Sequence, residues 1–413
     1  MRRRKLSEQR DPARWNRRLA VMVIVLSVVV LLTGGATAYL WWQRPTAEAA
    51  GPGGQVALVA GDLQDNLDLW LADPAGNNRR RLTNTPENEV YPTWSPDGSK
   101  LAFVRLVGLD QSGPQREWGE NEGLYWLRFE GEKPVEEQLL LASEGGIGVP
   151  SWSPDGRHLL VVAPVDPADS EALESRVTLI DVATKQRQSK TLPFGVGNVQ
   201  PSWSPHDGAV AVVGLGKDEG AERPVSRLHL LRLNQTQVVA EQVDAAAFSP
   251  TEPLLASLEE QGERLRLRQP DGTEVATLLD GDHILSFAWS PDGATLAIAR
   301  MTAEQFVELV LYRLADDSAT VIPLGEQHFP NYMAWSPDGR YLSYTYPDFS
   351  QSDSEIALAF VIGIIDVRAG TVMPFATHES VELMASWRPA ATEPVGTEPV
   401  GTESVSADSA SIE

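Results

Sequence analysis

The chain is expected to fold as an all-β, seven-bladed β-propeller of four-stranded blades, with the ring closed by strand exchange and one transmembrane helix in front. Three observations predict this. A short motif recurs at the spacing of propeller blades. Each copy is flanked by strand patterns with no helical period. One long uncharged stretch precedes the first copy.

In chain order, residues 1–18 form a basic segment. They hold eight Arg or Lys against Glu8 and Asp11, a net charge of about +6 within a chain of 413 residues and net charge −23. Residues 19–42, "LAVMVIVLSVVVLLTGGATAYLWW", carry no charge. A helix of that length spans roughly 36 Å, enough for a hydrocarbon core of about 30 Å. The basic cluster before it places the N-terminus in the cytoplasm and the rest of the chain outside. The rival reading is a cleaved signal peptide, with "ATA" or "AEA" as the cleavage site. Residues 43–54 are small and Gly-rich and read as a linker.

The propeller is assigned to residues 55–390. Its motif is "YPTWSPDGSKLAFV" from Tyr91, and it returns from Val149, Gln200, Ala245, Ser286 and Tyr332, with a truncated "MASWRPA" from Met384. The aromatic positions are Trp94, Trp152, Trp203, Phe248, Trp289, Trp335 and Trp387, separated by 58, 51, 45, 41, 46 and 52 residues. That spacing is too wide for leucine-rich, ankyrin or tetratricopeptide repeats. In each copy the aromatic ends one strand. Pro96, Asp97 and Gly98 then make a tight turn: Pro presets φ, Asp bonds locally and Gly accepts positive φ. Two further strands and a closing one follow, for example "LAFV", "LYWLRF" and "EQLLLA". Trp94 and its counterparts read as wedges between neighbouring blades. At the ends, "QVALVA", "LDLWLAD" and "RRLTN" are strands two to four of a blade without its first, and "LMASW" is a first strand without the rest. Pairing them closes the ring and leaves no severed edge. Residues 391–413 form an acidic tail with no basic residue, expected to be disordered.

These copies, with "RRLTN" ending a blade, resemble the TolB-like β-propeller family, whose WD40-like repeat is of the PD40 type. The resemblance covers roughly residues 54–390. It implies the propeller fold and a protein-binding platform. It also points to the cell envelope, where the family's namesake is a periplasmic protein. The namesake differs in having a small α/β domain, a six-bladed ring and a cleaved signal.

The remaining observations bear on chemistry. The body beyond residue 18 carries about −29, which repels phosphate backbones and argues against nucleic acid as a partner. There is no Cys, which excludes thiolate metal sites and Cys nucleophiles. No G-x-S-x-G or H-E-x-x-H occurs, and the six His have no zinc spacing. "GLGKDEG" lacks the ending of a phosphate loop, and "DLQDNLD" and "DFSQSDSE" lack the pattern of a calcium loop.

By propeller topology, the longest insertions share one face, and that face is acidic. Around its channel mouth we place Glu89, Asn198, His283, His328, His378 and Glu382, a set suited to a calcium ion or a basic peptide and equally to the lining of a wet channel. Trp118 and Phe349 are the interaction-loop anchors, with Phe306 and Phe329 beside them. Tyr332, next to a first strand, is expected to pack. The expectation is a monomeric, membrane-anchored, non-enzymatic scaffold that binds a protein or peptide by its long-loop face. Apart from that calcium, no cofactor is implied. The alternatives are a hydrolase or lactonase working at the channel mouth, and cell-wall carbohydrate binding.

Overall fold

The computed structural model describes residues 54–389 apart from 62–65, 107–121, 143–146, 166–173, 197–199, 218–222, 233–234, 282, 326–329, 349–358, 374 and 377–380. The expected membrane segment, most of the linker and the tail lie outside the described residues. Among the described residues there is no helix, and so none long and apolar enough to cross a membrane.

The strands form antiparallel sheets of four, named here by the aromatic that ends each first strand. The Trp94 sheet is Asn88–Trp94, Lys100–Leu106, Gly123–Glu130 and Lys133–Ala142, paired in that order. The Trp152, Phe248, Trp289 and Trp335 sheets repeat this order. In the Trp203 sheet the first strand is split into Gly195–Val196 and Ser202–Trp203, both paired with Val210–Gly216. A single parallel bridge, Phe360 to Val381, joins the Trp335 sheet to its neighbour.

That neighbour is assembled from both ends of the described chain. Val381–Trp387 pairs antiparallel with Val56–Gly61, which pairs with Leu67–Ala72 and then Arg80–Arg81. The expected exchange of strands is therefore present in the ladder, with Val56 opposite Trp387. First strands touch in succession from the Trp94 sheet to the Trp387 sheet, and the last touches the first. The second strands explain the packing. Leu101, Ala102, Phe103 and Val104 are all buried, as are Val56–Ala60 and Leu296–Ala299. A strand covered on both faces reads as a continuous apolar run rather than an alternating one. Full burial of each large aliphatic side chain contributes about 1.5–3 kcal/mol.

The Ser-Pro-Asp-Gly turns are fastened by their own side chains. Ser95 Oγ donates to Asp97 Oδ1 at 2.5 Å and accepts the Lys100 N–H at 2.9 Å, and the Gly98 N–H donates to the Ser95 carbonyl at 2.8 Å. The Ser153, Ser290 and Ser336 hydroxyls make the same bond to Asp155, Asp292 and Asp338. Bonds from Ser153 and then the Arg157 N–H hold the Asp155 carboxyl below its ordinary range, and Ser290 and Ala294 do the same for Asp292. Gly98 has φ 65°, and a Cβ there would meet the Pro389 carbonyl at 2.4 Å. This turn therefore needs Gly both for its conformation and for the close approach of the closing segment.

Candidate binding site

Five of the aromatics that end first strands make one shared contact. The Nε1–H of Trp152 donates to the Thr93 carbonyl at 3.0 Å, and that of Trp203 to Ser151 at 3.3 Å. Trp289 bonds the Ala247 carbonyl at 3.0 Å, Trp335 that of Ala288 at 3.2 Å, and Trp387 that of Ala334 at 3.1 Å. In each case the acceptor belongs to the residue before the aromatic of the preceding sheet. In these five the indole thus joins neighbouring sheets. Two places differ. Phe248 has no ring N–H, and Trp94 Nε1 is buried without a partner.

Of the expected channel-mouth residues, Glu89 and Glu382 are both fully buried. They occupy one position of the repeat, five residues before Trp94 and Trp387. Glu89 accepts from Thr85 Oγ1 at 2.6 Å and Arg105 Nε at 2.7 Å. Arg105 also bonds Glu137 at 3.0 and 3.2 Å and lies 4.3 Å from the Tyr125 ring centroid. Burial pushes the Glu89 carboxyl up, and bonds from Thr85, Thr83 and Arg105 offset only part of that. Glu382 pairs with Arg79 Nη1 at 2.6 Å. Each carboxylate is thus matched to its own guanidinium inside the fold. Val243 and Ile284 fill the same register and are buried, the sign in the sequence that this position faces inward. The sequence reading missed Arg105 and Arg79 as partners.

His283 is exposed at the start of its strand. Asn198, His328, His378, Trp118, Phe329 and Phe349 lie outside the described residues. Phe306 is 44% exposed. Tyr332, expected to pack, is 47% exposed. Its φ of 49° at a bulge in the first strand explains this, since the left-handed residue leaves the alternation that would bury it. No group of three or more His, Asp or Glu suited to a metal occurs among the described residues.

A cavity of about 470 Å³ lies elsewhere, along the first strands of the Trp152, Trp203 and Phe248 sheets and against Phe287. Its volume is within the range of about 300–1,000 Å³ usual for ligand sites. Its lining includes the polar Ser151, Gln200 and Ser202, the small Ala245–Ala247, and aromatic and proline residues such as Trp203 and Pro205. Among the described residues, no acid, base or His lines it. One repeat contributes small residues to the cavity. Counting back from the aromatic, Ala245, Ala246 and Ala247 stand where the first copy has Tyr91, Pro92 and Thr93. The turn after Phe248 has also lost its Asp-Gly, and Ser249 Oγ instead accepts the Glu252 N–H at 3.1 Å.

A second unusual polar group is His229, buried and stacked on Phe194 with ring centroids 3.6 Å apart and planes 13° apart. Neither of its ring nitrogens has a hydrogen-bond partner. Burial, and then the Arg227 charge, pulls the imidazole down to about 4.

No family model matches the chain. The Tol-Pal system protein TolB of Alcanivorax borkumensis is 34% identical over 91 residues, 22% of this chain and 18% of that protein. The chain is similar to TolB. It is not a close match, since it spans less than a fifth of the length of that curated relative. Among the solved structures that share the fold are two enzymes. An oligogalacturonate lyase in complex with manganese aligns with TM-score 0.53 at 14% identity, over 78% of this chain and 84% of the other. A periplasmic gluconolactonase of Pseudomonas aeruginosa aligns with TM-score 0.53 at 14% identity, over 82% of this chain and all of the other. The fold is thus the propeller fold, which enzymes share with TolB.

Proposed function

We propose that the chain is a binding platform, and that it holds a neutral segment of a protein partner in the cavity along the first strands of the Trp152, Trp203 and Phe248 sheets. One observation carries this reading: the cavity has the volume of a ligand site and, among its described lining residues, no titratable side chain. General acid–base or metal chemistry needs groups that this lining lacks. Binding needs only shape, apolar surface and a few polar atoms, and the lining supplies these.

The rest of the proposal concerns placement. We assign seven blades, supported by the succession of touching first strands that returns on itself. The ring is monomeric. Residues 19–42 form a single-pass anchor with the N-terminus in the cytoplasm, and the propeller lies outside the membrane. The similarity to a Tol-Pal system protein supports a protein partner at the cell envelope.

The test is affinity capture from detergent-solubilised membranes, with the full chain and with its Ala245→Tyr variant. Ala245 lines the cavity, so Tyr there adds a large ring to the space, at a position where two other repeats carry Tyr91 and Tyr332. A protein retained by the parent and lost from the variant is the expected result. Identical captures would overturn the reading and return weight to an enzymatic propeller.

A further inference from the structure

The series of indole contacts is interrupted beside the cavity. A Trp at position 248 would reach back to the residue before Trp203, as each of the five others reaches back one sheet. That residue is Ser202. Phe248 has no ring donor; only its backbone N–H makes the connection, to Ser202 Oγ at 2.9 Å. The Ser202 carbonyl is thus left without the indole that serves Thr93, Ser151, Ala247, Ala288 and Ala334. A carbonyl oxygen has two lone pairs, and a strand ladder uses one. Ser202 is half-buried and lines the cavity. The first strand of the Phe248 sheet also lines the cavity, and it carries Ala245 and Ala246 where other copies carry larger residues such as Tyr91, Gln200 and Tyr332 or Pro92, Pro201 and Phe287.

We propose that the cavity takes a tryptophan side chain from the partner segment, with its ring among Pro201, Trp203 and Phe287 and its N–H on the Ser202 carbonyl. This rests on the binding reading above. Three features select that chemistry. A charged group would enter a lining with no counter-charge, at a heavy desolvation cost. A hydrocarbon ring would leave the Ser202 carbonyl as it is. An indole carries a large apolar body and a single donor, the combination that buried sites reward. The site is then made by subtraction: this copy of the repeat has Phe in place of Trp and Ala at 245 and 246, and a ligand can supply the missing indole.

The experiment uses the full chain in detergent, titrated calorimetrically with N-acetyltryptophanamide and with its 1-methylindole analogue, which keeps the ring and lacks the donor. The parent should bind the first, and methylation should weaken binding by about five- to tenfold, the worth of one hydrogen bond. Ala245→Tyr should abolish both interactions. Phe248→Trp, which supplies the donor from within, should erase the difference between the two ligands. Equal binding of both ligands by the parent, or binding of neither, would overturn the inference whether or not the Phe248→Trp chain folds. The partner-capture result is read separately. A partner still lost from Ala245→Tyr while the indole titrations are flat would leave the binding reading standing and remove only the tryptophan.

Discussion

The indole Nε1–H of Trp152 donates to the Thr93 carbonyl at 3.0 Å and so ties one sheet to the next through a single side chain. Trp94 holds the same place in its own sheet, yet its Nε1 is buried without a partner. Replacement by Phe separates the two roles of this residue. Trp152→Phe loses packing and a hydrogen bond; Trp94→Phe loses packing and weakens the contact with the Arg388 guanidinium, but loses no hydrogen bond. Urea unfolding should find Trp152→Phe the less stable by about 1 kcal/mol. Equal costs would mean that the indole bonds add nothing to the seams.

The Glu89–Arg105 pair is inside the fold, so its two halves are unequal to the sum of their removals. Arg105→Leu leaves a buried carboxylate without its cation and should cost about 3–5 kcal/mol. The double variant Glu89→Leu/Arg105→Leu removes both charges and should recover most of that loss. A double-mutant cycle on unfolding free energies checks the coupling.

His229 gives a pH dependence with a defined sign. The unfolded imidazole takes its proton near pH 6.5, and the folded one only at about 4. Between those values the unfolded chain binds more protons, so stability falls as pH drops through that window and levels off below it. The shift corresponds to a loss on the order of 3 kcal/mol. His229→Phe keeps the stack on Phe194 and removes the titration. Its stability should therefore fall less than the parent's from pH 7 to pH 4, measured as the difference in urea midpoints.

Closure of the ring has its own test. The Arg388 guanidinium lies 4.8 Å from the Trp94 ring centroid and 4.9 Å from that of Phe129. Its Nε donates to the Gly98 carbonyl at 2.9 Å and its Nη1 to Gln55 Oε1 at 2.9 Å. Arg388→Ala should cost about 2 kcal/mol from these contacts together. A chain ending at Glu382 should melt far below one ending at Ala391, because it loses the strand that pairs with Val56–Gly61. Similar melting temperatures would refute the exchanged strand.

Much of this was legible in the sequence because repetition makes local signals redundant. The Ser-Pro-Asp-Gly turns, the four-strand units and the pairing of the two ends all follow from patterns seen several times over. Side-chain direction at single positions was harder. Glu89 and Glu382 read as channel-mouth residues because they are acidic and stand before a first strand. Their register decided otherwise, and alignment with Val243 and Ile284 carried that information. The cavity was visible only as an irregularity, in the alanines and the Phe of one degraded copy. Tyr332 left its expected packing through a bulge and a left-handed φ, which no composition signal announces.

The pairing of Gln55 with Arg388 spans 333 residues of sequence. During synthesis the strand Val56–Gly61 emerges well before Val381–Trp387, the strand that pairs with it. Bringing such distant ends together costs about 5 kcal/mol of chain entropy. Until then the edge of Val56–Gly61 is open, and an open edge is a template for the wrong neighbour. The interval of greatest risk for this protein is thus set by the ribosome's pace along the intervening residues, and it ends only when Val381–Trp387 arrives.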